Sequence, residues 1–366
     1  MIFSGLFFLA ARALADAAAI PPVLPPCSFP EATESTAQDY DEAFEEHLAE
    51  FADEMAERHG FDKESLACLF GQVRRNEDVI RLITPLPTGT QKNWRSYRAR
   101  FIETRRLKAG ARFWNQHRKT LAKAEKTYGV PPEIIVGIIG VETIYGKNKG
   151  NFRTIDALAT LAFDYPEHPK REARMALFRN ELENVLLFSA EQGIDPISLR
   201  GSYAGAIGLP QFLPSSIRKY AVDFDGDGNI DLRYSPADAI GSIANFLVWH
   251  GWTKGAPIVF PATLDETCPR PPDDALNPGL TATLTPDDLR EFCVTTKKTL
   301  PGNLRFGLVD MENGNDPTSY WLATDNFFAI THYNRSYFYA MTVIDLGNAV
   351  KAFRKRQKPA RTRRHK

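Results

Sequence analysis

The sequence predicts an α+β fold that is mainly α, and three observations carry that reading. Phe44, Leu48, Phe51 and Met55 recur at helical spacing, and similar apolar stripes follow through most of the chain. The stretch PPEIIVGIIGVETIYG (131–146) is apolar on every side, as a helix buried all round must be. Residues 253–325 then change character, with short β-like runs (APIVF, LRFGLVD, SYWLA) split by Pro, Gly and Asp loops.

At 366 residues the chain can form two or three packed units. Its 45 basic and 45 acidic side chains cancel, so net charge implies no polyanionic partner, and nucleic acid is not expected. No apolar run approaches the roughly 20 residues of a membrane span. Four cysteines in a chain of this size do not make a disulfide scaffold.

The chain opens on IFSGLFFLAA (2–11) followed by Ala13-Leu14-Ala15, the pattern of a cleaved secretory signal peptide at 1–15. A short membrane anchor is the alternative. Cys27 follows Pro25-Pro26 where a lipoprotein box needs small residues, so lipidation is not expected. Residues 16–38 read as a linker. The Phe44–Met55 stripe makes a first helix that stops at Gly60, and Leu66, Leu69, Phe70 and Val73 continue as a second. A loop at 83–91 leads to Trp94 and Tyr97 among Arg95, Arg98 and Arg100, a solvated face or a sugar platform. One long helix is expected over 104–128, with Gly129 as its C-cap. These elements form an N-terminal helical unit over 39–127.

The next unit, 128–252, begins with the buried helix. Pro131 and Pro132 suit its start and Gly146 its end. Glu142 follows the apolar run with no charged neighbour until Lys147. Burial and the negative helix end both disfavour its charged form, which suits a general acid. The bland alternative is a core helix whose last carboxylate reaches solvent. An apolar run at 158–165 precedes a charged excursion, EHPKREAR (167–174), and a helix over 175–192. GSYAGAIGLPQFLPSS (201–216) is a small-residue loop that lets a ligand or another segment approach, and Gln211 stands out in it. A short helix follows at Pro214–Tyr220.

In VDFDGDGNIDLRYSPAD (222–238), Asp223, Asp225, Asp227 and Asn229 occupy the odd positions of a calcium loop, with Gly228 at the turn. Position twelve is Tyr234 instead of Glu, so the closing carboxylate must come from elsewhere, with Asp238 the candidate. One Ca2+ in a structural role is expected; the alternative is a metal-free polar turn. Ser235-Pro236 starts a buried helix that ends at Gly251. The β-rich insertion (253–325) should hold one short helix at 286–292 and a Cys268–Cys293 disulfide, with Cys27 and Cys68 as the other pair. Four free thiols remain the alternative. A final core segment, 326–353, brings Tyr333, Asn334 and Ser336 in on a strand or loop before a last helix. Residues 351–366 hold nine Lys or Arg and no acid. The tail, 354–366, is either simply solvated or weakly attracted to anionic envelope polymer.

Taken together, YGVPPEIIVGIIGVET (128–143), TIDALATLAFDYP (154–166), the 201–216 loop, AVDFDGDGNIDL with PADAIGSIANF (221–246) and THYNRSYFYAM (331–341) closely resemble the membrane-bound lytic murein transglycosylase B family. The resemblance spans about residues 40–350. It implies a lysozyme-like helical core, one calcium ion, and cleavage of the β-1,4 MurNAc–GlcNAc bond of peptidoglycan without water. Glu142 matches the family's single acid-then-base carboxylate. Tyr97, Ser202, Gln211, Phe212, Phe246, Tyr333, Asn334 and Tyr339 match residues of its glycan cleft. Phe246 stands where relatives can carry Tyr, so a hydroxyl contact is lost. The expected protein is a monomeric periplasmic enzyme without an organic cofactor. A hydrolytic muramidase and a non-catalytic wall-binding scaffold are the alternatives.

Overall fold

The computed structural model describes residues 21–26, 42–85, 91–265, 267–269, 272–276 and 279–357. The expected signal peptide, Cys27 and the end of the basic tail lie outside the described residues, as does most of the expected linker. Among the described residues no helix is long and apolar enough to cross a membrane.

Helix α1 (Glu42–His59) buries Phe44, Leu48, Phe51 and Met55, and Gly60, at φ 75°, ends it. Helix α2 (Lys63–Phe70) is capped by Asp62, which accepts from the Ser65 amide. Val73, expected within it, lies past its end yet is fully buried. Two short helices were not expected: α3 (Glu77–Ile83) and α4 (Trp94–Ala99), capped by Asn76 and Asn93. At this length an apolar period barely repeats, and the asparagine caps are the only local sign.

The single helix expected over 104–128 is two, α5 (Thr104–Gln116) and α6 (Arg118–Tyr128), broken at His117. The break serves packing, because α5 lies on the last helix of the chain while α6 lies on the helix over Pro236–Trp249. Gly129 caps α6 in the left-handed conformation, as expected.

Helix α7 (Pro132–Thr143) is the buried one; Ile134 to Gly140 are all buried. A short antiparallel pair, β1 (Phe152–Arg153) with β2 (Arg200–Gly201), brackets α8 (Thr154–Phe163) and α9 (Arg171–Gln192). Every residue of α8 is buried. Helix α9 starts at Arg171, so the second half of the expected charged excursion is its first turn. Helix α10 (Pro214–Tyr220) has the expected bounds. Helix α11 (Pro236–Trp249) is capped by Ser235, which accepts from the Asp238 amide. Its far end is open rather than buried, with Trp249 63% exposed.

The late unit is an antiparallel sheet of four strands: β3 (Val259–Leu264), β4 (Val294–Thr295), β5 (Gly307–Asn313) and β6 (Asp316–Ala323), in the order β4-β3-β6-β5. Leu289, Phe306, Leu308 and Leu322 form its own small core. Within it, α12 (Pro286–Glu291) begins at a Thr285–Asp288 capping box, close to the expected short helix. Cys268 and Cys293 are disulfide-bonded, with their Cα atoms 5.9 Å apart. Cys68 is also disulfide-bonded, while Cys27, its expected partner, lies outside the described residues.

Helix α13 (Asp325–Thr331) buries Phe327, Phe328 and Ile330, and Tyr333, Asn334 and Ser336 follow on a loop, as expected. Helix α14 (Tyr337–Gln357) then crosses α7. A Cβ on Gly137 would lie 2.2 Å from the Val343 carbonyl oxygen, and one on Gly347 2.0 Å from that of Glu133. The two backbones therefore touch, and the two glycines permit it.

Candidate active site

Glu142 sits on the last turn of α7. The helix stops at Thr143, three residues before the expected glycine, and Ile144, Tyr145 and Gly146 follow at φ 51°, 60° and 84°. Left-handed backbone costs free energy at the β-branched Ile144 and at Tyr145, so surrounding contacts must hold it. Two do. The Thr143 hydroxyl donates to the Leu209 carbonyl at 3.0 Å and accepts from the Gly146 amide at 3.0 Å. The Tyr145 ring fills a notch left by two glycines: a Cβ on Gly110 or on Gly140 would lie 2.4 Å from its hydroxyl. The turn thus fixes where α7 ends and presents Glu142 at the surface of the core.

The carboxyl is partly open to solvent, but protein surrounds it on most sides. Burial raises its pKa to about 7, and a hydrogen bond from Tyr339 opposes that rise. Tyr339 Oη donates to Glu142 Oε1 at 2.5 Å. No basic side chain pairs with Glu142 among the described residues. Near neutrality the group is therefore poised between its two protonation states.

Three tyrosines from different elements converge on it. Tyr339, from α14, stacks on Tyr333 at 6.3 Å with rings 14° apart. Tyr333, from the loop before α14, donates to the Pro210 carbonyl at 2.5 Å. Tyr97, from α4, packs against Phe338 and Phe101 and lies close enough to feel the Glu142 charge. Burial raises the pKa of all three phenols, so they stay protonated and can donate. Replacing Tyr339 with Phe removes the bond that holds the Glu142 pKa down. The alkaline limb of the pH–rate profile should then move up by about one pH unit or more, since hydrogen bonds to charged groups contribute about 1.5–3 kcal/mol. An unmoved limb in that profile would mean that the hydroxyl does not govern the carboxyl.

Other expected cleft residues fall into two groups. Gln211, at φ 53°, donates from Nε2 to the Gly208 and Lys149 carbonyls at 2.9 and 3.2 Å. Ser202 accepts from the Ala204 and Ala206 amides and so shapes the 201–216 loop. Asn334 is exposed on the loop before α14. Phe212 and Phe246, by contrast, are only 3% and 6% exposed, and their rings pack on each other and on Tyr333. Side chains so covered back Tyr333 from behind instead of offering a face to a sugar. Thr143 and Tyr145, which set the position of Glu142, were not expected, because a left-handed turn at Ile-Tyr has no sequence signal.

Among the described residues, no second acid joins Glu142. Asp156 accepts from Arg153 Nε and Nη2 at 2.5 and 2.8 Å and from the Arg74 amide at 3.1 Å. Asp164 is paired with Arg75 at 2.6 Å. Both are tied into the scaffold.

In the acidic loop, carboxylate oxygens of Asp223, Asp225 and Asp227 lie within 4.8 Å of one another. Asp223 accepts from the Gly226 and Gly228 amides, which holds its pKa low. Asn229 donates its amide to Asp227. Gly226 and Gly228 turn the chain at φ 85° and 94°. Asp238 stands outside the carboxylate group. It is 1% exposed and accepts from the Phe224 and Asp231 amides, one from each side of the loop. It fastens the loop where a closing ligand was expected. Three hard oxygen donors at this spacing, curled by two glycines, suit a calcium ion. The loop also touches the cleft, since the Leu209 amide donates to the Leu232 carbonyl at 2.8 Å.

A model of the transglycosylase SLT domain family matches residues 43–348. Membrane-bound lytic murein transglycosylase B of Escherichia coli (strain K12) is 40% identical over 309 residues, which cover 82% of this chain and 81% of that protein. The crystal structure of soluble lytic transglycosylase SltB1 from Pseudomonas aeruginosa is 44% identical with a TM-score of 0.77, over 84% of this chain and 99% of that one. Escherichia coli Slt35, a lytic transglycosylase solved in complex with calcium, is 41% identical with a TM-score of 0.74, over 84% and 93%. These solved relatives share the mainly helical, lysozyme-like fold. With a family model matched over most of its length and relatives of this identity on both sides of the comparison, the chain belongs to the transglycosylase SLT domain family and is a peptidoglycan lytic transglycosylase.

Proposed function

We propose that Glu142 alone carries both proton transfers in cleavage of the β-1,4 MurNAc–GlcNAc bond. The protonated carboxyl gives its proton to the glycosidic oxygen as the C1–O4 bond breaks. The carboxylate then takes the proton of the muramic 6-hydroxyl as that oxygen bonds to C1. A 1,6-anhydro end forms, and no water enters. The observation that carries this reading is the Glu142 carboxyl itself, raised to about 7 by burial and bonded only to Tyr339 among the described residues. Hydrolysis with a second carboxylate would need another acid facing the bond, and Asp156 and Asp164 are bound to arginines. The substrate's own N-acetyl group can stabilise the developing positive charge. Tyr97, Tyr333, Gln211, Ser202 and Asn334 form the cleft, where aromatic rings suit the apolar C–H face of a pyranose.

Mass analysis of fragments released from purified sacculi tests the mechanism. Anhydro ends should dominate, each lighter by one water than a hydrolysed end; a majority of hydrolysed ends would favour the muramidase reading. Because the first step needs the protonated carboxyl, kcat/KM should fall as pH rises through about 7.

Asp223, Asp225, Asp227 and Asn229 would hold one calcium ion, with Asp238 fastening the loop around it. The ion would offset the repulsion among the carboxylates and keep the loop against the cleft segment at Leu209. Saturating calcium should raise the melting temperature, with about 2.7 kcal/mol of stabilisation at one hundred times Kd. Asp225→Asn with Asp227→Asn should erase that response, whereas an unmoved wild-type midpoint would contradict a metal role. The place of action is the periplasm, after export by the N-terminal segment.

A further inference from the structure

Acidic and basic side chains cancel over the whole chain, but the fold segregates them. Helix α1 carries seven acids and one arginine, and it packs on α2 and α8. Helices α5 and α6 together carry eight Lys or Arg against the single acid Glu125. The end of α14 lies against α5: the Arg354 guanidinium sits 5.1 Å over the Trp114 ring, and its Nε donates to Asn115 at 2.6 Å. Lys108, Arg112, Arg118, Lys119, Lys355 and Arg356 gather around this junction. All six are exposed, and none makes a side-chain hydrogen bond or ion pair among the described residues. The acids that could answer them are taken: Glu133 pairs with Lys351 at 2.6 Å and Asp345 with Arg98 at 2.5 Å. This end also points away from the cleft. Helix α14 runs antiparallel to α7, with Val343 at Gly137 and Gly347 at Glu133. It bonds Glu142 through Tyr339 and reaches Arg354 about 22 Å further along its axis.

We propose that this basic end docks the enzyme on an anionic phospholipid bilayer, with the cleft turned away from the lipid. A patch of one sign suits a surface of one sign, and lipid phosphates form such a surface. The peptides of the wall carry ammonium groups as well as carboxylates, and the wall must meet the cleft at the other end. The acidic α1 is repelled by the same lipid surface, so the segregated charge orients the molecule as well as attracting it. The sequence beyond Gln357 adds five Lys or Arg and no acid, and the test separates its share from that of the folded patch.

The test is sedimentation of the full chain with two kinds of vesicle, phosphatidylcholine alone and phosphatidylcholine with phosphatidylglycerol in equal parts. The wild type should bind the second kind and not the first. Added salt should weaken the binding, because exposed charges are screened beyond about 8 Å at physiological ionic strength. Lys108→Gln with Arg112→Gln should lower affinity for the anionic vesicles about thirtyfold, at about fivefold per charge. Arg118→Gln with Lys119→Gln should do the same, so failure of one pair to fold leaves the other to decide. Both double variants should keep the wild-type rate on soluble glycan fragments, since none of the four residues belongs to the cleft. A chain ending at Gln357 should still prefer the anionic vesicles. Equal binding of the wild type to both vesicles would overturn the proposal. So would double variants that bind as the wild type does, because the patch would then contribute nothing. A wild type that ignores both vesicles but binds sacculi through these four residues would assign the patch to the wall instead.

Discussion

Glu142→Gln should lower release of murein fragments by about ten-thousand-fold, because in the proposed mechanism one side chain performs both proton transfers and each is a general acid–base step. Glutamine keeps the shape of the side chain and can still accept from Tyr339, so the loss should not come from a collapsed site. Stability separates the two causes. The Glu142 pKa is about 7 in the folded protein against an ordinary 4.5. Stability linked to this proton is complete below 4.5 and lost as pH rises through 7, because the folded protein then holds a carboxylate where burial disfavours one. At pH 8 that loss is roughly 3 kcal/mol in the wild type, and glutamine does not incur it. The inactive variant should therefore melt no lower than the wild type at pH 8. An inactive variant that melts well below it would point to a structural role for the side chain.

The second large effect concerns the crossing of α7 and α14. Gly137→Ala should destabilise the protein by about 3 kcal/mol, the upper part of the range for forced overpacking. In an open helix the same change would stabilise by about 1 kcal/mol, so the sign of the result is diagnostic. The added methyl would sit 2.2 Å from the Val343 carbonyl oxygen, and backbone cannot move aside as a flexible side chain can. Helix α14 carries Tyr339, so activity should fall along with the melting temperature. Gly302→Ala is the control. Nothing lies within 4 Å of its added carbon, and it should shift stability by less than about 0.5 kcal/mol. Equal behaviour of the two variants would contradict the close crossing.

Much of the site could be read from the residues, and for identifiable reasons. An all-apolar helix ending in one carboxylate announces itself, since burial of Glu without a charged partner is uncommon. Proline starts and a serine cap located α10 and α11 because they act within one turn. What escaped depends on contacts between distant segments. The break at His117 follows from α5 and α6 packing on different helices. The left-handed Ile144 and Tyr145 are held in part by Gly110 and Leu209, neither of which is local to the turn. Helix α13 had no expectation of its own, because Phe327, Phe328 and Ile330 are as apt to fill a strand as a helix. Phe212 and Phe246 could be recognised as aromatic, but only the fold shows that Tyr333 covers them. Asp238 had the right charge for a ligand, yet its two oxygens are drawn to the Phe224 and Asp231 amides.

The whole account depends on the state of one carboxyl, and its titration can be followed directly. A 13C NMR titration of the Glu142 side chain, assigned by its absence in Glu142→Gln, should give a midpoint near 7. A midpoint near the ordinary 4.5 would contradict it, because the group could then hold no proton to give at the pH where the wall is cut.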